Sequence, residues 1–181
     1  MFLLNLSEDF QIETDLLRFR FEQNLPCDEA QMSYNAETHE CVLHLSQRFD
    51  FYNTKDVAWL QIVVREVFRK LTKIIIVPRL VAFAKEYGYQ FRRVFVKDVS
   101  SRWGSCSEKG NINLSLWLML LPLPYVDYVL KHELAHLREL NHSPRFWAEV
   151  DKMTGGPGTA KALSKAKNNY IHTKLLPLIH S

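Results

Sequence analysis

The 181-residue sequence predicts an α+β fold: a small mixed or antiparallel sheet packed on one amphipathic helix, with an N-terminal β-hairpin region. Three observations carry that expectation. Apolar residues recur at steps of three and four from Thr54 to Tyr87 and again through Val126, Val129, Leu130, Leu134 and Leu137. Short runs elsewhere alternate with period two, as strands with one buried face do. The alternating and helical stretches interleave along the chain.

Taken in order, Arg18-Phe19-Arg20-Phe21 alternates and reads as a partly exposed strand. Met32 and Tyr34, then Cys41, Leu43 and Leu45, each fall on one face of an extended chain, with Asn35 to Thr38 as the turn between them. That is a hairpin from about 30 to 46. The helical run from Thr54 places Val57, Leu60, Val64, Val67 and Leu71 on one side, then Leu80, Phe83, Ala84 and Tyr87. Thr54 is its expected N-cap, Pro78 divides or kinks it, and Gly88 ends it. Phe91, Val94 and Val96 predict a strand, Ile112 and Leu114 another, with a Ser/Gly-rich turn between. Gly155-Gly156-Pro157-Gly158 marks a loop before a Lys-rich C-terminal helix or tail. The expected organisation is a β-rich subregion over 1–53, a core over 54–153 and a basic tail or helix over 154–181, all in one compact domain.

Composition narrows the class. Apolar residues make up 47% and charged residues 24%, as in an ordinary globular protein, and the length suits one domain with a sizeable core. The longest apolar stretch, Leu114 to Leu123, is too short to span a bilayer and is interrupted by Pro122, so no membrane role is expected. The first residues carry no basic segment and turn acidic at Glu8-Asp9, unlike a secretory signal. Cys27, Cys41 and Cys106 are widely spaced with no CxxC, which fits a reduced, cytoplasmic chain. Charge is uneven. Residues 1–60 hold four Lys/Arg against eleven Asp/Glu, whereas five lysines and no carboxylate follow Asp151. Such asymmetry attracts nucleic acid, or attracts one part of the chain to another.

The chemistry concentrates in residues 132–142, His-Glu-Leu-Ala-His-Leu-Arg-Glu-Leu-Asn-His. His132 and His136 lie one helical turn apart on one face and can reach a single ion. Glu133, beside the first of them, is placed to take a proton from an attacking water without binding the metal. Tyr125, Tyr128, His132 and His136 form one stripe, apart from the apolar side.

A third ligand is needed to leave one coordination position open. In an unbroken helix His142 would lie about 9 Å beyond His136 and about 120° round the axis, out of reach. If His142 is the ligand, the helix stops between Glu139 and Asn141, with Asn141 tolerating the left-handed turn. Ser143-Pro144 then reads as the N-cap and first position of a new helix whose apolar side is Phe146, Trp147, Val150 and Met153. Glu139, three residues after His136, is the rival. Three successive helical ligands would crowd one side of the ion, which favours His142.

The blocks Ser101-Arg102-Trp103-Gly104-Ser105-Cys106-Ser107, Gly110 to Ser115, Tyr125 to His136, and Asn141-His142-Ser143-Pro144-Arg145-Phe146-Trp147 resemble the YgjP-like metallopeptidase family. More distantly they are similar to SprT-like proteases. The likeness spans roughly residues 90 to 152 in four ordered blocks. It implies a zincin fold, one zinc ion on His132, His136 and His142, and Glu133 as general base. It also implies that the strand at residues 111–116 is the sheet edge facing the cleft, where an extended polypeptide substrate adds as a further strand. The His-x3-His-x5-His spacing equals that of metzincins, but Glu139 stands where those have the helix-breaking glycine.

Tyr128 and Arg102 are the candidate donors to the oxyanion. Tyr128 otherwise packs against the sheet, and Arg102 otherwise pairs with a structural carboxylate. Trp103 reads as core, and Gly104 as allowing a tight turn. Cys106 reads as a buried structural thiol rather than a nucleophile or zinc ligand, and His39, His44, His172 and His180 as surface residues. The leading expectation is a zinc metallopeptidase. The rivals are a metal-dependent nucleoside triphosphate pyrophosphatase, which some relatives of the family are described as, and a DNA-associated SprT-like protease. The chain has no Gly-rich phosphate loop for the first of these rivals.

Overall fold

A computed structural model describes residues 3–176 and the backbone of 179–180. Nine strands and five α-helices are described. β1 (Leu3–Leu4) pairs with β9 (Ile179–His180). β2 (Gln11–Glu13), β3 (Arg18–Leu25), β4 (Gln31–Asn35) and β5 (Glu40–Ser46) form a sheet in the order β2-β3-β5-β4. The expected hairpin is β4 and β5, antiparallel with Met32 opposite Leu43. β3 instead runs parallel to β5, with Phe19 opposite Cys41. The inner face of this sheet buries Phe19, Phe21, Leu43 and Leu45. Phe19 meets Phe68, and Phe68 meets Trp117, both edge-on at 5.6 and 6.1 Å. That aromatic line joins the N-terminal sheet to the helical part.

The cap of α1 (Thr54–Leu71) lies one residue before the expected one. Asn53 is the cap, its Oδ1 accepting from the amides of Lys55 and Asp56 at 2.9 and 3.4 Å, so Thr54 is already helical. The helical run passes through a wide turn at Thr72–Ile76, where the Val77 amide bonds five residues back to Thr72, before α2 (Val77–Tyr87). Pro78 falls in the first turn of α2, where its missing N–H costs nothing. Gly88 ends α2 at φ 70°.

The sheet beside the site has the order β6 (Arg93–Lys97), β8 (Asn111–Ser115), β7 (Gly104–Cys106). β6 and β8 are parallel and β7 is antiparallel to β8. The sequence reading of β8 as the cleft-facing edge is thereby corrected. β8 is the central strand, burying Ile112 and Leu114 completely, and β7 is the edge. The Ser/Gly-rich stretch read as a plain turn contains that edge strand, too short and too polar to show period-two alternation.

α3 (Leu123–Ala135) follows a 3-10 turn at Leu116–Leu120, and its first amide donates to Asp15 at 3.2 Å. Arg79 of α2 pairs with Asp127 of α3. α4 (Pro144–Thr154) and α5 (Thr159–Tyr170) pack against α3. Among the described residues no helix is long and apolar enough to cross a membrane.

Candidate metal centre and active-site cleft

α3 presents His132 and His136 on one face. Its regular bonding gives out at Ala135: the amides of Leu137 and Arg138 bond to the carbonyls of Leu134 and Ala135 at 3.0 Å, the three-residue spacing of a tightened last turn. Ser143 then caps α4, accepting from the Phe146 amide at 3.2 Å, so His142 lies just ahead of α4 and returns to the face of α3.

The helix therefore ends about a turn earlier than the sequence predicts. Asn141 does not take the expected left-handed turn, since His39 is the one non-glycine at positive φ among the described residues. Long-range ties make the reversal instead. The Arg138 guanidinium donates to the Tyr87 and Gly88 carbonyls at 3.4 and 3.2 Å and to Glu149 of α4 at 2.9 Å. It also lies 4.1 Å over the Tyr89 ring, whose hydroxyl donates to Glu149 at 2.9 Å.

The outcome is a group of three imidazoles. One ligand nitrogen from each of His132, His136 and His142 lies within 4.8 Å of the others, and the Nε2 atoms of His132 and His142 are 3.1 Å apart. A tetrahedral ion with metal–nitrogen bonds of 2.0–2.1 Å would hold its ligands about 3.3 Å apart. The three residues thus fit one small divalent ion with little adjustment.

The second ring nitrogens of His132 and His136 also have partners. His136 Nδ1 donates to the Glu139 carbonyl at 3.0 Å, which leaves its Nε2 lone pair free. Glu139 therefore meets this group through its main chain. The Tyr128 hydroxyl lies 3.4 Å from His132 Nδ1, on the ring edge away from Nε2. Phe146, fully buried, stacks on His136 at 4.4 Å and meets His132 and His142 edge-on at 4.8 and 4.7 Å. The sequence marked Phe146 only as core. Its contact with all three rings makes it the apolar floor of the site, which nothing in the periodicity distinguishes from ordinary packing.

Electrostatics suits ligation. Burial, with help from His136, His142 and Lys167, holds His132 down at about 3, and burial also lowers His136. Both rings are neutral near pH 7, as metal ligands must be.

Glu133 is 5% exposed and its Oε2 is buried without a hydrogen-bond partner. Burial pushes its carboxyl up to about 8, with Arg102 pulling the other way. A divalent cation on the three imidazoles would pull it further toward the carboxylate. Gly104 on β7 faces it, where an added Cβ would lie 2.7 Å from Glu133 Cγ and Oε1. Gly104 does not have positive φ, so its expected role in a tight turn is replaced by close approach.

Arg102, Trp103, Gly104, Tyr128, His132, Glu133, Ser164 and Lys167 line one cavity of about 290 Å³. Arg102 is exposed at its rim, and Trp103 is half-buried in its wall rather than fully core. Lys167 was missed from sequence because a single lysine in a Lys-rich helix carries no signal.

Burial, then the charge of Glu133, pushes the half-buried Cys106 thiol up to about 11, which makes it a poor nucleophile or ligand at neutral pH. His39 and His172 are exposed, but His44 is half-buried between Ser33 and Asn24. The side chain of His180 lies outside the described residues.

A family model described as the YgjP-like metallopeptidase domain matches residues 22–165. The crystal structure of the metallopeptidase zymogen of Pyrococcus abyssi abylysin is similar at 28% identity and a TM-score of 0.48, over 54% of this chain and 96% of that one. No curated protein matches the chain. With the family model covering most of its length, the chain belongs to the YgjP-like metallopeptidase family and is a metal-dependent peptidase.

Proposed function

We propose that this protein is a zinc-dependent endopeptidase of the cytosol, with His132, His136 and His142 as ligands and Glu133 as general base. The observation that carries this reading is three converging imidazole nitrogens beside a buried carboxylate oxygen with no protein partner. Three neutral nitrogens suit zinc, whereas magnesium and calcium seek oxygen ligands. A zinc ion bound there supplies a Lewis acid that brings the pKa of water toward neutrality and polarises a carbonyl.

The chain's own residues do the rest. Glu133 takes the proton of the attacking water and delivers it to the leaving amine. β7 offers an unpaired edge on which an extended polypeptide lies as one more strand, its scissile bond beside Glu133. Of the two candidate oxyanion donors, Tyr128 is held against His132 and steadies that ring, while the Arg102 guanidinium is free to reach the substrate. The three free cysteines support a reducing compartment.

Elemental analysis paired with a denatured-casein assay tests the reading. The wild type should carry one zinc per chain and cleave casein. Glu133→Gln should keep the zinc and the fold while losing hydrolysis by on the order of a thousandfold or more, because the amide accepts no proton. Full activity in that variant removes the proposed base, and a wild type without metal-dependent cleavage removes the function.

A further inference from the structure

α5 brings to the cleft one side chain that the peptidase mechanism does not use. Lys167 is 8% exposed and shares the 290 Å³ cavity with His132, Glu133 and Arg102. Lysine is almost never buried this far unless paired. Among the described residues its one hydrogen-bond acceptor is the neutral side chain of its neighbour, Asn168 Oδ1, at 3.1 Å. Among the described residues neither Lys167 nor Arg102 belongs to an ion pair; the pairs are made by other side chains. Glu133 is the one acid in the cavity wall, and it pairs with neither.

An ammonium removed from water and left without a counter-charge is unfavourable. The fold keeps it so beside an exposed guanidinium, in a space large enough for a side chain, next to the proposed base. Ser164 and Asn168 add neutral polar groups to the same wall. A ligand that brings a negative group into this cavity would supply the missing counter-charge.

We propose that Lys167 forms a carboxylate subsite adjoining the scissile bond, which selects peptides with an acidic side chain or a free C-terminal carboxylate next to the cleaved position. This rests on the peptidase reading above and gives its substrate class. Lys167 sits on α5, two residues past the end of the matched family region, residues 22–165.

The test uses peptides identical except for Glu or Gln on either side of the cleaved bond, each made with a free and an amidated C-terminus. For the wild type, kcat/KM should favour the carboxylate form by about ten- to a hundredfold, the worth of a hydrogen bond to a charged group. The position at which it does so tells a side-chain carboxylate from a terminal one. Lys167→Met should bring the ratio near one, Lys167→Arg should keep it, and Lys167→Glu should turn the preference toward the uncharged Gln or amidated form. Equal rates in the wild type, or an undiminished ratio in Lys167→Met, overturn the proposal. Should Lys167→Met not fold, the wild-type ratio and Lys167→Glu still decide. If the wild type cleaves no peptide, the peptidase reading fails, and calorimetric binding of the same peptides to the wild type decides the subsite. Tighter binding of the carboxylate form supports it and equal affinity overturns it. Displacement of the acidic peptide by ATP would assign the cavity to phosphate and also overturn it.

Discussion

Gly104→Ala is a single-methyl test of how the proposed base is held. The new Cβ would lie 2.7 Å from Glu133 Cγ and Oε1 and 2.9 Å from Cδ. Unstrained carbon contacts begin at about 3.5 Å, so either the carboxylate or the edge strand must retreat by roughly 1 Å. Glu133 is 5% exposed, so its carboxylate can yield only into the cavity that it lines, away from its present position. Overpacking of this kind costs about 1–3 kcal/mol of stability. A misplacement of about 1 Å at a reacting group costs on the order of a hundredfold in rate. No histidine is among the atoms crowded by the new methyl, so zinc content should stay at one per chain. Gly88→Ala is the control: φ is +70° and no atom lies within 4 Å of the new Cβ. It should cost about 1 kcal/mol in backbone strain and leave kcat alone. The assay is kcat on a fixed peptide, with zinc by elemental analysis and stability by urea unfolding for each variant. Wild-type kcat in Gly104→Ala, or a loss that merely follows lost zinc, would refute the reasoning.

Two further outcomes follow from the turn after α3. His142→Ala should lose zinc and activity together, since two imidazoles hold the ion poorly, whereas Glu139→Ala should keep one zinc per chain because its carbonyl still orients His136; dialysis against a chelator followed by elemental analysis checks both. Glu149, held down at about 2 by Lys152 first and then Tyr89 and Arg138, lies below its ordinary 4.5, so its stabilisation is present above about pH 4.5 and lost as pH falls toward 2. Discounted for solvent screening, Glu149→Gln should cost about 1–2 kcal/mol at pH 7. Unfolding curves of wild type and variant should then converge near pH 2, and a constant difference across that window would contradict the assignment.

What could be read from the sequence is what short-range geometry dictates. Four-residue spacing alone puts His132 and His136 on one face, and Ser143-Pro144 is a helix start wherever it occurs before an apolar run. The cap at Asn53 was misplaced by one residue because Asn53 and Thr54 both have capping side chains, and only the Asn53 carboxamide reaches the Lys55 and Asp56 amides. The reversal after His136 was expected for the right reason and assigned to the wrong cause. A local left-handed Asn141 is a plausible stop signal, yet Arg138 reaching back to Tyr87 and Gly88 does the work across some fifty residues of sequence.

The same division runs through the site itself. The metal ligands depend on helical period and one capped turn, so they are readable in a single stretch of chain. The orientation of Glu133 depends on a glycine about thirty residues away on a strand of three residues, whose polar pattern gives no strand signal. The choice of substrate, if Lys167 sets it, depends on a helix that follows the last ligand and packs back across the cleft. Each added layer of function is thus carried by a contact of longer range than the last. Variation in α5 can then change which peptide is cut while the histidines and Glu133 keep their geometry, because Lys167 touches the cavity without bonding to any of them.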